Sequence, residues 1–478
     1  MLNSVLTAID ARKAEALEGL KTFLRIPSVS TKPEHAGDVR ACADFLKREL
    51  EELGMAVTIH PTAGHPVVVA KNQHKPGRPT VLFYGHYDVQ PPEPLDLWKS
   101  PAFEPTVRKD ENGYDAVYAR GAVDDKGQVW CHVEALRAYA TAGTASAGGA
   151  ASAALSPLDR ALPVNLTMLI EGEEEIGSVN LYEFVSTHAA DLNADVALVS
   201  DTGQFARGLP AITYGLRGLV YTEVTITGPD HDLHSGMYGG TLHNPANALA
   251  QLIASFHDAQ GRVTIPGFYD DVRALTPAER DMWAKLPFSD EAHRKEMGSP
   301  ALHGEAGFTT IERKWARPTL DVNGLTSGYQ GPGAKTIIPS TASAKVSMRL
   351  VPDQDPAKIE AAFKAAVEAR VPKSVTVDVH VHSGARPSIL PIDNPATQLA
   401  AKAVETGFGV RPVLIREGGT VPVGTLFKQY LGIDTLFVGF GLSDDRVHSP
   451  NEKFDLDALH KGTRTAAALY AELAGLPK

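Results

Sequence analysis

Cysteine is scarce in this 478-residue chain: Cys42 and Cys131 are the only two. They stand in neither metal-binding nor redox spacing, which argues against a disulfide framework. No stretch approaches 18 continuous apolar residues, so no membrane-spanning helix is expected. Long lysine and arginine runs are missing as well, and the net charge is -11. Nucleic acid and anionic membrane surfaces are therefore not expected as partners. Charges interrupt the apolar positions of the N-terminal MLNSVLTAIDARKAEALEGLKTFL, so it reads as an amphipathic helix and not as a signal peptide. On these grounds the chain is expected to be cytoplasmic. What is present, 43% hydrophobic and 22% charged residues, is ordinary material for a large core. The length suggests about three domain-sized units, or two larger ones.

Strands and helices alternate from the start, which favours an α/β sheet. DVRACADFLKRELEELG (38–54) has helical periodicity and ends at a glycine, PVVVAK (66–71) and PTVLFYGH (79–86) read as strands, and KGQVWCHVEALRAYA (126–140) as a helix. The Ala/Gly/Ser run 141–156 has little to bury and reads as a flexible surface insertion. After about residue 213 the texture changes. RGLVYTEVTITG (217–228), AKVSMRLVPD (344–353) and SVTVDVHVHSG (374–384) alternate as half-buried strands do, with helical segments at 243–258 and 356–371. This pattern resembles an open-faced α+β sandwich, elaborated by the polar stretch 259–335. From about 394 the α/β texture returns. The expected architecture is α/β: a catalytic domain (1–213 and 394–478) with a mixed, mostly parallel central sheet flanked by helices, interrupted by an α+β unit (214–393).

Several apolar strands end in histidine or acid. VLFYG leads to His86, then Tyr87 and Asp88; LTMLI leads to EGEEEIGS (171–178); ADVALVS leads to Asp201; LFVGFG leads to a loop with His448. A further loop, ARGAVDDKG (119–127), places Asp124 and Asp125 just before a helix. Ligands of open α/β sheets bind outside the carboxyl ends of the strands, so these groups form one site if the strands are neighbours. Taken singly, each has a plainer explanation. Asp124 and Asp125 could cap a helix, and four glutamates in five residues could be a solvated loop. Taken together, two histidines and several carboxylates suit a pair of divalent ions, with Zn²⁺, Mn²⁺ and Co²⁺ all compatible. Such cations would neutralise the crowded acids. One carboxylate beyond the ligands is what metal-assisted hydrolysis needs as general base.

The segments GHYDVQPP (85–92), RGAVDDKG (120–127), EGEEEIGS (171–178), VSD (199–201) and HSPNE (448–452) resemble, in order, the motifs of the M20 family of co-catalytic metallopeptidases. That resemblance implies two ions per subunit, Zn²⁺ first among the candidates. His86 and Asp201 would bind one ion, Glu175 and His448 the other, and Asp124 both, with a cis peptide expected after Asp124. It implies that Asp88 orients His86 and that Glu174 is the base activating a bridging hydroxide. Glu173 and Glu171 receive no chemical role. DLHSGMYGG (232–240), AKTIIP (334–339), MRLVP (348–352) and REGGTVPV (416–423) resemble the dipeptidase branch, related to carnosinases and cytosolic nonspecific dipeptidases. By that likeness His234 would reach a partner subunit's site in a homodimer formed through the interrupting (lid) domain. Thr336 and Arg349 would hold the substrate's carboxylate end, and Gly418, Gly419 and Thr420 would line the substrate. The implied activity is hydrolysis of dipeptides or short peptides. An N-acyl amino acid deacylase or desuccinylase on the same fold is the alternative, and a metal-binding protein without hydrolytic activity a third.

Overall fold

The apolar run leading to His86 forms a strand, Thr80–His86, buried from its second residue to its last. Strands covered on both faces read as unbroken apolar runs and belong inside a sheet with parallel neighbours. In the computed structural model, which describes residues 1–145, 155–419 and 422–477, this strand lies near the middle of a large mixed sheet. The order is Ala56–His60, Val67–Lys71, Asn165–Glu171, Thr80–His86, Val196–Val199, Thr435–Phe437 and Ala211–Leu216. The middle four are parallel, and the pairs towards both sides are antiparallel. The expected mixed sheet is there, with its parallel part confined to the centre. Helices Ala36–Glu52, Lys126–Ala145, Pro395–Phe408 and Leu456–Leu473 bury their apolar faces in the same core.

Two local readings change. The N-terminal segment is two helices, Leu2–Ala11 and Lys13–Leu24, because Arg12 leaves helical geometry at φ -108° and ψ 16°. The helix expected to stop at 140 continues to Ala145. Residues 146–154 of the expected insertion lie outside the described residues. Among the described residues no helix is long and apolar enough to cross a membrane.

The chain divides into two compact units. The first comprises Met1–Tyr214, Leu390–Ile415 and Leu426–Lys478, and the second Gly215–Ile389 with Arg416–Thr425. In the second unit an antiparallel sheet runs Thr319–Ser327, Thr341–Leu350, Gly218–Thr227, Thr376–Ala385. Alternate residues such as Val220, Val224, Val346 and Met348 pack with Leu249, Leu252 and Phe363 of helices Pro245–Ala254 and Pro356–Arg370. The other face of the sheet lacks these helices, as an open-faced sandwich requires.

The stretch 259–335 supplies more than elaboration, since Thr319–Ser327 is an edge strand of that sheet. It also holds helices Pro277–Ala284 and Thr310–Ala316, each opened by a capping box, from Thr276 to Glu279 and from Thr309 to Glu312. The segment Arg416–Thr425, read from the sequence as part of the returning α/β domain, groups instead with the second unit. Arg416 pairs with Glu279 and stacks over Trp283, and Arg217 Nε donates to the Gly418 carbonyl at 3.2 Å.

Candidate metal centre

Sheet order brings the strand ends together. Asn165–Glu171 and Val196–Val199 flank Thr80–His86 on either side, so the acidic run and Asp201 emerge beside His86. Asp124 precedes helix Lys126–Ala145, after a cis Asp124–Asp125 peptide of the kind the motif led us to expect. His448 sits at φ 60° in the loop that follows strand Thr435–Phe437. The two oxygens of Asp124 face different histidines. Oδ1 is 3.2 Å from His86 Nε2, and Oδ2 is 2.9 Å from His448 Nε2. His86 Nε2 also lies 4.0 Å from Asp201 Oδ2, and His448 Nε2 3.2 Å from Glu175 Oε2. Two groups of three donors result, His86–Asp124–Asp201 and Asp124–Glu175–His448, with the donor atoms of each within 4.8 Å of one another. Ligands about 2.0–2.2 Å from one ion stand roughly 3.4 Å apart at tetrahedral angles, so each group has the spacing to close on a cation.

The electrostatics point the same way. Burial, together with Asp125 and Asp124, pushes the Asp201 carboxyl well above its ordinary range. Burial and the Asp124 charge do the same to Asp125. Burial disfavours the His86 cation, yet Asp124 and Asp88 hold it well above the usual imidazole value. His448 is drawn up to about 10 by Asp124 and Glu175. Glu174 rises to about 7 through burial, with Asp124, Glu175 and Asp88 adding to it against His86. A site with this surplus of negative charge fits divalent cations, and its imidazole and carboxylate donors suit them chemically.

Other buried groups hold the site in shape. Asp88 oxygens accept the backbone N–H of Glu174 at 3.2 Å and of Glu175 at 3.1 Å, and the Ser30 hydroxyl at 2.7 Å. Asp88 Oδ1 is also 3.3 Å from His86 Nδ1, which lies 3.1 Å from the Asp88 carbonyl. Gln90 donates to Glu175 Oε2 at 2.8 Å. Glu171 accepts from the hydroxyls of Tyr84 (2.5 Å) and Ser178 (2.8 Å), and burial lifts its carboxyl to about 8. Glu173 accepts from His65 N–H (2.8 Å) and from the side-chain amide (2.9 and 2.8 Å) and N–H (3.2 Å) of Asn180, tying the acidic turn to the 62–65 loop.

Glu452, the last residue of HSPNE, had received no role. It is fully buried and accepts from Arg120 (2.7 Å) and from the N–H groups of Gly121 (3.0 Å), Val123 (3.0 Å) and Asp124 (3.1 Å). Its place in the same motif as His448 was the available signal, as was that of Gln90 in GHYDVQPP.

The remaining candidates belong to the second unit and join neither donor group. DLHSG and AKTIIP are brought together: His234 pairs with Ile337 in a short ladder, and Ser235 N–H donates to the Thr336 carbonyl at 3.1 Å. His234 is exposed, its Nδ1 accepting Gly236 N–H at 3.0 Å. Arg349 is half-buried on Thr341–Leu350, directly opposite Thr319. Gly418 approaches Arg217 so closely that a Cβ would lie 2.6 Å from its Nη2, whereas Gly419 has open space. Thr420 lies outside the described residues.

Comparison with known proteins adds independent information. Residues 82–149 match the model for peptidase family M20/M25/M40, and residues 214–375 match a peptidase dimerisation domain. The chain is 32% identical to a Cys-Gly metallodipeptidase of Schizosaccharomyces pombe, covering 99% of both sequences. It is 31% identical to the Beta-Ala-His dipeptidase of Homo sapiens, over 100% of this chain and 93% of the relative. Its structure is similar to that of an M20 family metallo-carboxypeptidase from Sulfolobus solfataricus, with a TM-score of 0.83 and 32% identity over 97% of this chain and 100% of the other.

Proposed function

The chain belongs to the M20 family of peptidases, and from that premise we propose that it is a dinuclear metal-dependent dipeptidase. One observation carries the reading: Asp124 presents one oxygen to His86 and the other to His448. His86 and Asp201 would hold one divalent ion, Glu175 and His448 the second, and Asp124 would contribute to both. Zn²⁺ heads the candidates, with Mn²⁺ and Co²⁺ equally compatible with the donor set. Two such ions supply Lewis-acid polarisation of a scissile carbonyl and make a water acidic enough to attack at neutral pH.

The protein supplies proton handling and orientation. A Glu174 carboxylate oxygen takes the proton from the attacking water and passes it to the leaving amine nitrogen. Asp88 holds that glutamate's backbone, and the backbone of the ligand beside it, in place. Arg349 and Thr336 take the substrate's carboxylate end, for which a guanidinium fork is well matched. Gly418, Gly419 and Thr420 offer backbone and hydroxyl groups along the peptide. His234 serves the site of a partner subunit in a homodimer formed through the second unit, donating to the oxyanion. The dimerisation-domain match supports that pairing.

A panel of Ala- and Gly-containing dipeptides and N-acetyl amino acids, assayed on metal-reconstituted enzyme, tests the reading. Dipeptide cleavage is expected; efficient N-acetyl hydrolysis with inert dipeptides would make the chain a deacylase instead. Glu174→Gln is expected to retain both ions and lose nearly all turnover, and unchanged turnover would remove Glu174 from the mechanism. Mixing His234→Ala with Glu174→Gln protomers is expected to restore some activity, since each heterodimer then contains one site with both groups intact. Demonstrated subunit exchange without recovery would overturn the shared site.

A further inference from the structure

His132, on helix Lys126–Ala145, belongs to a buried chain of hydrogen bonds inside the first unit. The Ser200 hydroxyl donates its one proton to the Val438 carbonyl at 2.8 Å. Towards His132 Nε2, 2.9 Å away, the Ser200 oxygen can therefore only accept. That assigns the ring hydrogen to Nε2 and leaves Nδ1 to accept the Tyr470 hydroxyl at 2.8 Å. Burial keeps the ring neutral, its pKa lowered to about 3, so a single ring hydrogen is what this arrangement needs. Ser200, His132 and Tyr470 are all buried, and water does not compete for any link.

This one ring meets every element that supplies a donor to the group His86–Asp124–Asp201. Ser200 immediately precedes Asp201. The helix that carries His132 begins two residues after Asp124. Phe83, three residues before His86 on strand Thr80–His86, places its ring centroid 4.0 Å from that of His132. The other donor group is held less directly. Val438, the last acceptor of the chain, stands ten residues before His448, and the acidic turn that supplies Glu175 is not a member. Past the ladder of strand Val196–Val199, the Ser200 side chain is the next tie before Asp201.

We propose that His132 is a positioning residue for the ion that His86, Asp124 and Asp201 would hold. The proposal rests on the dinuclear reading and concerns only one of its two sites. Tyr470 fixes the tautomer of His132, and His132 fixes the Ser200 hydroxyl against Val438. Asp201 is thereby set, through the backbone next to it, relative to the helix behind Asp124 and the strand that ends in His86. Groups that orient ligands without touching the ion still govern how tightly it is held. Leucine at 132 fills the space and releases Ser200, whereas glutamine keeps a donor for it.

Calorimetric titration of the metal-free protein with Zn²⁺ tests this. The unaltered protein is expected to take up two ions. In His132→Leu and in Ser200→Ala one dissociation constant is expected to rise about tenfold, with the other unchanged. His132→Gln is expected to keep both constants near those of the unaltered protein. Glu175→Gln and Asp201→Asn backgrounds identify the affected ion: adding His132→Leu is expected to weaken the remaining ion in the first and not in the second. Ser200→Ala removes a single oxygen, so the comparison survives if His132→Leu does not fold. Both constants unchanged, or both raised alike, in variants whose metal-free melts show a folded chain would overturn the proposal and leave the dinuclear reading standing. Fewer than two ions on the unaltered protein would sink the dinuclear reading and the proposal with it.

Discussion

Glu452 holds Asp124 by its main chain: the buried carboxylate accepts the Asp124 N–H at 3.1 Å. Glu452 follows His448 by four positions, so one short loop both supplies a candidate metal ligand and fixes the backbone of another. Arg120, itself 1% exposed, donates to the same carboxylate. Removing one partner of a buried ion pair leaves an unpaired charge, at about 3–5 kcal/mol. Glu452→Ala is therefore expected to lose stability of that order in chemical denaturation and to bind less metal by elemental analysis. Full metal content with unchanged stability would refute the tie.

Two glycines should respond oppositely to alanine. A Cβ at Gly64 would lie 1.7 Å from Glu173 Oε1, where the carboxylate is pinned by His65 and Asn180. Gly64→Ala is expected to destabilise by about 1–3 kcal/mol, as overpacking does. A Cβ at Gly37, in helix Ala36–Glu52, meets nothing within 4 Å. There alanine is expected to stabilise by about 0.4–1 kcal/mol, largely through the unfolded chain. Thermal melts of the two variants decide both signs.

His132 is buried between the Ser200 hydroxyl (2.9 Å) and the Tyr470 hydroxyl (2.8 Å), and burial lowers its pKa to about 3. An unfolded chain binds a proton there below about pH 6.5, and the folded chain does not until about pH 3. Stability contributed by this group is thus complete above about pH 6.5 and is lost as pH falls through that window. His132→Gln, which offers a donor and an acceptor without titrating, is expected to flatten the decline in melting temperature between pH 6.5 and 4. An identical slope in both proteins would assign the decline elsewhere.

Chelation is expected to lower the melting temperature, and Zn²⁺, Mn²⁺ or Co²⁺ to restore it. A ligand at 100 times its Kd stabilises the folded state by about 2.7 kcal/mol per site. Asp124→Asn, which weakens both groups at once, is expected to abolish most of that recovery in calorimetry. Recovery equal to that of the unaltered protein would remove Asp124 from the centre.

Some of this architecture was legible because the governing physics is local. An unbroken apolar run such as 80–86 has to be buried, and a histidine or acid after it has to emerge at the strand's end. Which ends meet was not legible, because that depends on sheet order: Asn165–Glu171 enters between Val67–Lys71 and Thr80–His86. Glu173 stayed blank because His65, one of its two partners, is remote in sequence and becomes a neighbour only through the fold. Thr319–Ser327 escaped notice because eight of its nine residues are exposed or only partly covered, which erases the alternation that betrays a strand. The break at Arg12 is set by backbone geometry that an amphipathic pattern does not encode.

The long interruption of the first unit begins and ends at one place. Leu390 N–H donates to the Tyr214 carbonyl at 2.7 Å, and Ser388 and Ile389 pair with Leu216 and Gly215, so the chain leaves and rejoins the sheet on adjacent strands. Loop-closure entropy grows only logarithmically with the residues enclosed. For the sheet, therefore, each doubling of the enclosed length costs only about 0.6 kcal/mol, so the module can grow while the two anchor points stay put. A change of length inside the module therefore leaves the strand ends that carry His86 and Asp201 where they are.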